Sequence, residues 1–207
     1  MSESDILAGV KVRVKVSASQ TYNFYVINDS GEELTLIMDK NLGNKVAWYE
    51  SAANNSYGPI TALNYLNSQT SDWANIPAIK NYVYNNNLNG NTNTFGYQKL
   101  EITDGIGKLT SQDGATITSL VGTMNARLFT YEEAETLKIS NSNSLPSWLY
   151  ENLGADNTEL VPVGYWLLTS TFEVATDSHK IDYNGNLSYN SSRANSYGIR
   201  PVITLSK

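Results

Sequence analysis

Few residues of this chain could carry out chemistry, and they do not gather. There is one histidine, His179, and no cysteine among the 207 residues. Covalent catalysis needs a nucleophile beside a base, and a zinc-type site needs several nitrogen or sulfur ligands. The lack of cysteine removes disulfides, thiolate metal sites and cysteine nucleophiles together. A single histidine removes a multi-histidine metal site within one chain. Asp39, Asp104, Asp113, Asp156 and Asp177 do not have the spacing of a Ca²⁺ loop. No Gly-x-Ser-x-Gly, His-Glu-x-x-His or phosphate loop occurs. A hydrolase would need two acids facing each other across a pocket, and no motif supplies such a pair. His179 lies in a polar stretch, so surface exposure is expected of it. The expectation is no catalytic residue, no metal ligand and no cofactor. A structural Ca²⁺ on loop carbonyls stays open, with no motif to support it.

What the residue types do offer is recognition chemistry. Between Gly164-Tyr165-Trp166 and Gly198-Ile199-Arg200-Pro201-Val202 runs a stretch rich in Asn, Ser, Tyr and Asp. Tyr gives rigid contact area at low entropy cost, and Asn and Ser give adaptable hydrogen bonds. The expected ligand face comprises Phe172, Asp177, His179, Asp182, Asn184, Asn186, Ser188, Tyr189, Asn190 and Arg193. Its plain alternative is ordinary loop and hairpin composition, since residues 85–96 show that Asn is used freely elsewhere. Arg200, two positions after Gly198 and before a Pro in an expected strand, suits an ion pair or a carbonyl clamp better than ligand binding. Tyr165, Trp48, Trp148 and Trp166 suit the core better than a sugar platform, because they bury so much area.

The elements that must position this face follow from periodicity. Residues 10–16 alternate apolar with Lys11, Arg13 and Lys15, the wet side of a strand. Residues 24–27 and 34–38 are two more strands, with turn chemistry at Asn28-Asp29-Ser30-Gly31, so the start is an antiparallel meander. Asp39 to Gly43 leaves the sheet. Gly58-Pro59 opens a helix with Ile60, Leu63 and Leu66 on one face, Trp73 and Ile76 continue that face, and Pro77 restarts a short helix through Tyr82. Residues 85–96 and 105–114 are surface loops. Thr130 and Glu133 form a capping box for a helix with Ala134 and Leu137 inward, and residues 146–150 form a further short helix. Ile181, Tyr183, Asn184-Gly185, Leu187 and Tyr189 read as a hairpin with a type I′ turn. Ile181 and Leu187 then point inward, and Asp182, Asn186 and Ser188 face solvent. Tyr189 is the member of the set that could be buried instead. Ile199 to Leu205 is the last strand, with Pro201 making it an edge or standing at its start. Without repeat or linker, residues 1–207 form one α+β domain, with 164–207 carrying the ligand segment.

Composition narrows the partners. Hydrophobic residues make up 41%, enough for a core, and charged residues only 16%. With a net charge of −6, no phosphate-tracking stripe is expected, hence no nucleic-acid partner. No apolar run is long enough to insert into a membrane, and the start Met1-Ser2-Glu3-Ser4-Asp5 has no signal-peptide character. Either the protein is made without a signal, or an export segment has been removed. The oligomeric state is open.

Several motifs resemble a known group. Gly164-Tyr165-Trp166, Thr169-Ser170-Thr171 and the closing Gly198-Ile199-Arg200-Pro201-Val202 are similar to the end of a C-type-lectin-like domain. The nearer branch is the one related to formylglycine-generating enzyme, whose Arg-Leu-Pro-Thr motif enters a Glu-rich helix. Arg127-Leu128-Phe129-Thr130 before Glu132-Glu133-Ala134 is similar, with Phe129 in place of proline. Leu36 to Gly43, Val46-Ala47-Trp48 and Gly58 to Asn64 resemble surface or pilin-like proteins of gut Gram-positive bacteria. The resemblance implies an α+β C-type-lectin-like domain with antiparallel sheets, a few helices and long irregular loops. It implies an extracellular or cell-surface location, or alternatively a virion. The enzyme branches of that group use active-site cysteines or several histidines, and this chain lacks both. The implied role is binding of a protein or a cell-surface glycan. The alternative is a structural pilus or surface-appendage subunit. Ca²⁺-dependent sugar binding is not implied, because the Glu-Pro-Asn and Gln-Pro-Asp signatures are missing. Some lectin-like proteins are variable products of diversity-generating retroelements, rewritten at adenines. Asn codons changed at their first adenine give Asp, His or Tyr, and at their second Ser, Thr or Ile. Asp177, Ser178, His179, Ile181, Asp182, Tyr183, Asn184, Asn186, Ser188, Tyr189 and Asn190 all belong to that set, whereas Lys180 and the alanines are less directly explained.

Overall fold

Alternation in the first strands directs side chains to two separate cores. The computed structural model describes residues 7–51, 55, 58–77, 79–80, 82–86, 98–102, 109–110, 116–117, 123–155, 161–171, 174 and 176–207, and for 79–123 the backbone alone. Strands β1 (Lys11–Lys15), β2 (Thr21–Asp29) and β3 (Glu33–Met38) form the antiparallel meander expected from the sequence. Lys11, Arg13 and Lys15 are exposed on β1. On β2, Phe24 and Val26 enter one core, while Tyr25 and Ile27 enter the other. On β3, Leu36 and Met38 join the first core and Ile37 the second. A strand covered on both sides needs an unbroken apolar run, and these have one.

Helix α1 (Ile60–Thr70) follows Pro59 and buries Ala62, Leu63 and Leu66 in the first core. Trp73 and Ile76 extend that face, as their spacing suggests. Pro77 does not restart a helix. Ile79–Lys80 is strand β4 and Tyr82–Asn86 strand β5. Tyr82-Val83-Tyr84 favours extended chain, and this preference overrides the proline signal. Asn85 and Asn86, read as loop, belong to β5; the rest of that loop, 87–96, lies outside the described residues. β5 pairs with β6 (Gln98–Ile102). Leu109–Thr110, strand β7, falls within the expected 105–114 loop and pairs with β8 (Thr116–Ile117). β4 pairs with β9 (Thr123–Met124).

Helix α2 (Tyr131–Ser140) starts at the capping box read from the sequence. Glu133 N donates to Thr130 Oγ1 at 3.1 Å, and Thr130 N donates to Glu133 Oε2 at 3.0 Å. Glu133 also takes Arg127 in a two-pronged pair at 2.8 and 2.5 Å. Ala134 and Leu137 are buried in the second core. The expected helix at 146–150 is one 3₁₀ turn, Ser147–Leu149.

Strand β10 (Gly164–Ser170) continues the two-core pattern. Trp166 and Leu168 lie in the first core, and Tyr165 and Leu167 in the second. It pairs with β11 (Asp177–Asp182), which pairs with β12 (Leu187–Ser191), so the smaller sheet runs β10-β11-β12. The last strand, β13 (Val202–Ser206), returns to β3 and completes the sheet β1-β2-β3-β13. Pro201 stands immediately before β13, at an edge of that sheet, where its missing N–H costs no ladder bond. The described fold is α+β.

Candidate functional site

The outer hairpin is held in place from below. Trp48 Nε1 donates to Leu167 O and Trp166 Nε1 to Val46 O, each at 2.8 Å, so the two indoles strap residues 46–48 to β10. Arg200 has no exposed surface and works as a carbonyl clamp. It donates to Leu149 O and Asp39 O, and more distantly to Glu151 O at 3.4 Å. The guanidinium lies 5.2 Å from the Tyr165 ring. Burial pushes the Tyr165 phenol up to about 12, although Arg200 opposes the shift. Buried Asn55 gathers the segment before β11, its Nδ2 donating to Thr171 O at 2.7 Å, Val174 O at 3.0 Å and Asp177 O at 2.6 Å.

Above this frame, exposure depends on strand order more than on alternation. Every residue of β10 is buried, β11 has four buried residues between two half-buried ends, and no residue of β12 is buried. Cross-strand register assigns the faces. Asp177, His179 and Ile181 share one face with Ser191, Tyr189 and Leu187. Ser178, Lys180 and Asp182 share the other with Asn190 and Ser188. Ile181 and Leu187 do pack in the second core. Their opposite face is not open solvent, however. Lys180 and its neighbour Trp166 lie over the Tyr197 ring, at 5.3 and 4.7 Å.

The expected ligand face is therefore divided. His179 is not exposed. It is 8% accessible, 4.4 Å from the Tyr131 ring of α2 and edge-on to Tyr189 at 6.3 Å. A middle strand under a helix buries a polar residue as readily as an apolar one. Asp182 is half-buried and already engaged, with Lys180 Nζ at 3.1 Å and the N–H groups of Asn184 and Asn186 both at 3.0 Å. Asp177 is half-buried and accepts from Thr176 Oγ1 at 2.7 Å. Ser188 and Asn190 are half-buried, and Asn190 Nδ2 donates to Tyr197 Oη at 2.7 Å. Asn184, Asn186, Tyr189 and Arg193 are exposed. Phe172 lies outside the described residues. Tyr183, which the sequence placed in the strand, is 40% exposed, and Tyr189 41%.

The turn is not type I′. That type needs positive φ at both central residues, and here Gly185 has φ +76° while Asn184 is not among the positive-φ residues. Gly185 N donates to Asp182 O at 2.9 Å and Asp182 N to Asn186 O at 3.2 Å, giving a three-residue loop that ends in a left-handed glycine. A Cβ on Gly185 would strike the Tyr150 ring at 2.6 Å. The Asp182 carboxylate caps two turn N–H groups, which selects this loop over the one the Asn-Gly pair favours. Burial pushes the Asp182 carboxyl up, but the Asn186 N–H and the Lys180 ammonium outweigh it, so its pKa is lowered. A depressed carboxylate adds stability above its unfolded pKa of about 3.9 and loses it as pH falls through the folded value. Asp182→Ala is expected to cost about 1–3 kcal/mol at neutral pH in urea unfolding. The cost should shrink as pH falls below about 4. A cost independent of pH would remove the charge from this account.

Two shallow crevices flank the hairpin. The turn residues Asn184, Gly185 and Asn186 share one of about 390 Å³ with Lys138, Ser144 and Tyr150. Arg193 and Asn195 share another of about 410 Å³ with Lys45, Glu50 and Thr61. Sequence reasoning missed Lys138, Ser144 and Tyr150, which lie far from the hairpin in the chain and carry no local signal. Among the described residues no group of three or more His, Asp or Glu could hold a metal ion, and no described helix is long and apolar enough to cross a membrane. Compared with protein-family models, curated proteins and solved structures, the chain matches none.

Proposed function

We propose that this chain is a non-enzymatic recognition module of C-type-lectin-like fold, whose outer hairpin end meets a protein or a cell-surface glycan outside the cell. The observation that carries this reading is the exposure gradient across β10, β11 and β12. A fully buried, clamped strand supports a middle strand, which supports the edge strand with Tyr189, between the turn residues Tyr183, Asn184 and Asn186 at one end and Arg193 beyond the other. Rigid support beneath Tyr and Asn keeps the ordering cost of binding low. In this reading the meander, the Thr130-capped helix and the closing strand serve as the scaffold.

The direct test is a glycan array and intact bacterial cells probed with the labelled chain. A variant with Tyr183, Asn184, Asn186 and Tyr189 all changed to Ala should lose at least about 30-fold in binding, the size of one hot-spot residue, with little change in melting temperature. Equal binding by the two proteins would end the reading. Concentration-dependent polymerisation through this face would favour an appendage subunit instead. Diversification has its own test in the flanking DNA: a near-copy of the 3′ coding segment, beside a reverse-transcriptase gene. Mismatches should fall on Tyr183, Asn184, Asn186 and Tyr189 and spare buried Ser178, His179 and Ile181. Without that copy the diversification idea fails, while a fixed binding role stands.

A further inference from the structure

Another groove lies away from the hairpin turn, where β3 ends and the chain leaves the first sheet. Its volume is about 720 Å³, within the range of small-ligand sites. Arg13 and Lys40 line it. Both are exposed, and neither makes an ion pair among the described residues. Asp39 also lines the groove, but its carboxylate faces Lys11 Nζ at 3.5 Å. The groove therefore carries positive charge in a chain of net −6. Such a local reversal of sign attracts an anion that the rest of the surface repels.

The remaining lining is uncharged and suited to hydroxyl groups. Asn23, Asn41 and Asn152 contribute amides. Asn41 Nδ2 donates to Gly164 O and Asn152 Nδ2 to Asp39 O, each at 3.2 Å, which fixes both side chains. Asn41 Oδ1 is buried with no hydrogen-bond partner among the described residues. That oxygen packs beside Gly198 and is closed off from the groove. Asn152 holds φ +63°, a left-handed turn conformation that Asn adopts readily. Val161, 45% exposed, and Pro162 give the rim an apolar patch.

We infer that this groove binds a sugar ring bearing a carboxylate. The carboxylate sits between Arg13 and Lys40, the hydroxyls meet the exposed Asn23 and Asn152 amides, and the apolar ring face lies on Val161 and Pro162. The chemistry is shared by uronic and sialic acids, and the site does not use the hairpin.

Calorimetric titration of the full chain with glucuronic acid, N-acetylneuraminic acid, glucose and acetate tests the site. At least one sugar acid should bind saturably, at least about tenfold tighter than glucose or acetate, since each contact to a charged group contributes that much. Which acid binds identifies the source. Arg13→Gln and Lys40→Gln, both at exposed positions, should each weaken it about tenfold, while Tyr189→Ala should leave it unchanged. No saturable binding of either acid overturns the inference. So does binding indifferent to both substitutions, or acetate binding as tightly as the sugar acids. Failure of the Tyr189 face to bind any glycan or cell would not touch this result.

Discussion

Arg200→Met is expected to lower the unfolding free energy by about 3–5 kcal/mol, in the range for breaking a buried charged network. Against a typical stability of about 5–15 kcal/mol, that is a large fraction. The guanidinium is fully buried and draws together Asp39, just after β3, and carbonyls of Trp148, Leu149 and Glu151 in and after the 3₁₀ turn. Methionine fills similar space and removes the cost of burying a charge, which in other settings can leave the total unchanged. Here the partners are backbone carbonyls, which no side-chain substitution can take away. Each one left unsatisfied costs about 1–3 kcal/mol. Arg200→Lys keeps the charge but not the planar fork, so it should recover only part of the loss. Urea unfolding with an unchanged slope is the measurement. A loss below about 1 kcal/mol for methionine would mean that these carbonyls find other donors.

Arg200 was legible as a clamp because Gly198 and Pro201 bracket it just ahead of β13, in a segment flanked by apolar residues where a charged side chain has few roles. The meander and α2 were legible for a related reason. Alternation in β1 and the Thr130–Glu133 box are local patterns, complete within a few residues. What escaped the sequence was decided partly by competing local signals and partly by residues far apart. Asn184-Gly185 favours a type I′ turn on its own terms, and the outcome was changed by Asp182, two positions upstream. Tyr82-Val83-Tyr84 formed strand where Pro77 suggested a helical restart. His179 reads as surface from its polar neighbours, yet Tyr131, 48 positions earlier, covers it. The ligand face followed the same logic. Alternation sorts residues into wet and dry only when one face of a sheet is bare, and here both faces of β10 are covered. Exposure on the hairpin reflects distance from β10, a quantity that no single strand encodes.

Trp166→Ala is the second substitution expected to have a large effect, and it links the frame to the hairpin. Loss of a buried Trp side chain costs about 3–5 kcal/mol through the cavity it leaves. Val46 O would also lose its donor, adding about 1–3 kcal/mol unless water enters. Trp166 pairs across the sheet with Lys180, and Lys180 with Ser188, so the cavity would open directly beneath the hairpin. Tyr197, now T-shaped against the indole at 4.7 Å, would lose its neighbour while still holding Asn190. Trp166→Phe separates the two contributions. It keeps most of the volume and loses the bond to Val46 O, for an expected cost of about 1–3 kcal/mol. The reciprocal strap adds a further condition. With Trp48→Phe also present, the two costs should fail to add by about 0.5–3 kcal/mol, because both indoles hold the same segment to β10. Native-state hydrogen exchange reads the functional consequence. In Trp166→Ala the amides of β11 and β12 should lose protection before those of β2 and β3. Uniform loss across both sheets would show that the hairpin has no opening of its own, and that its support is shared by the whole domain.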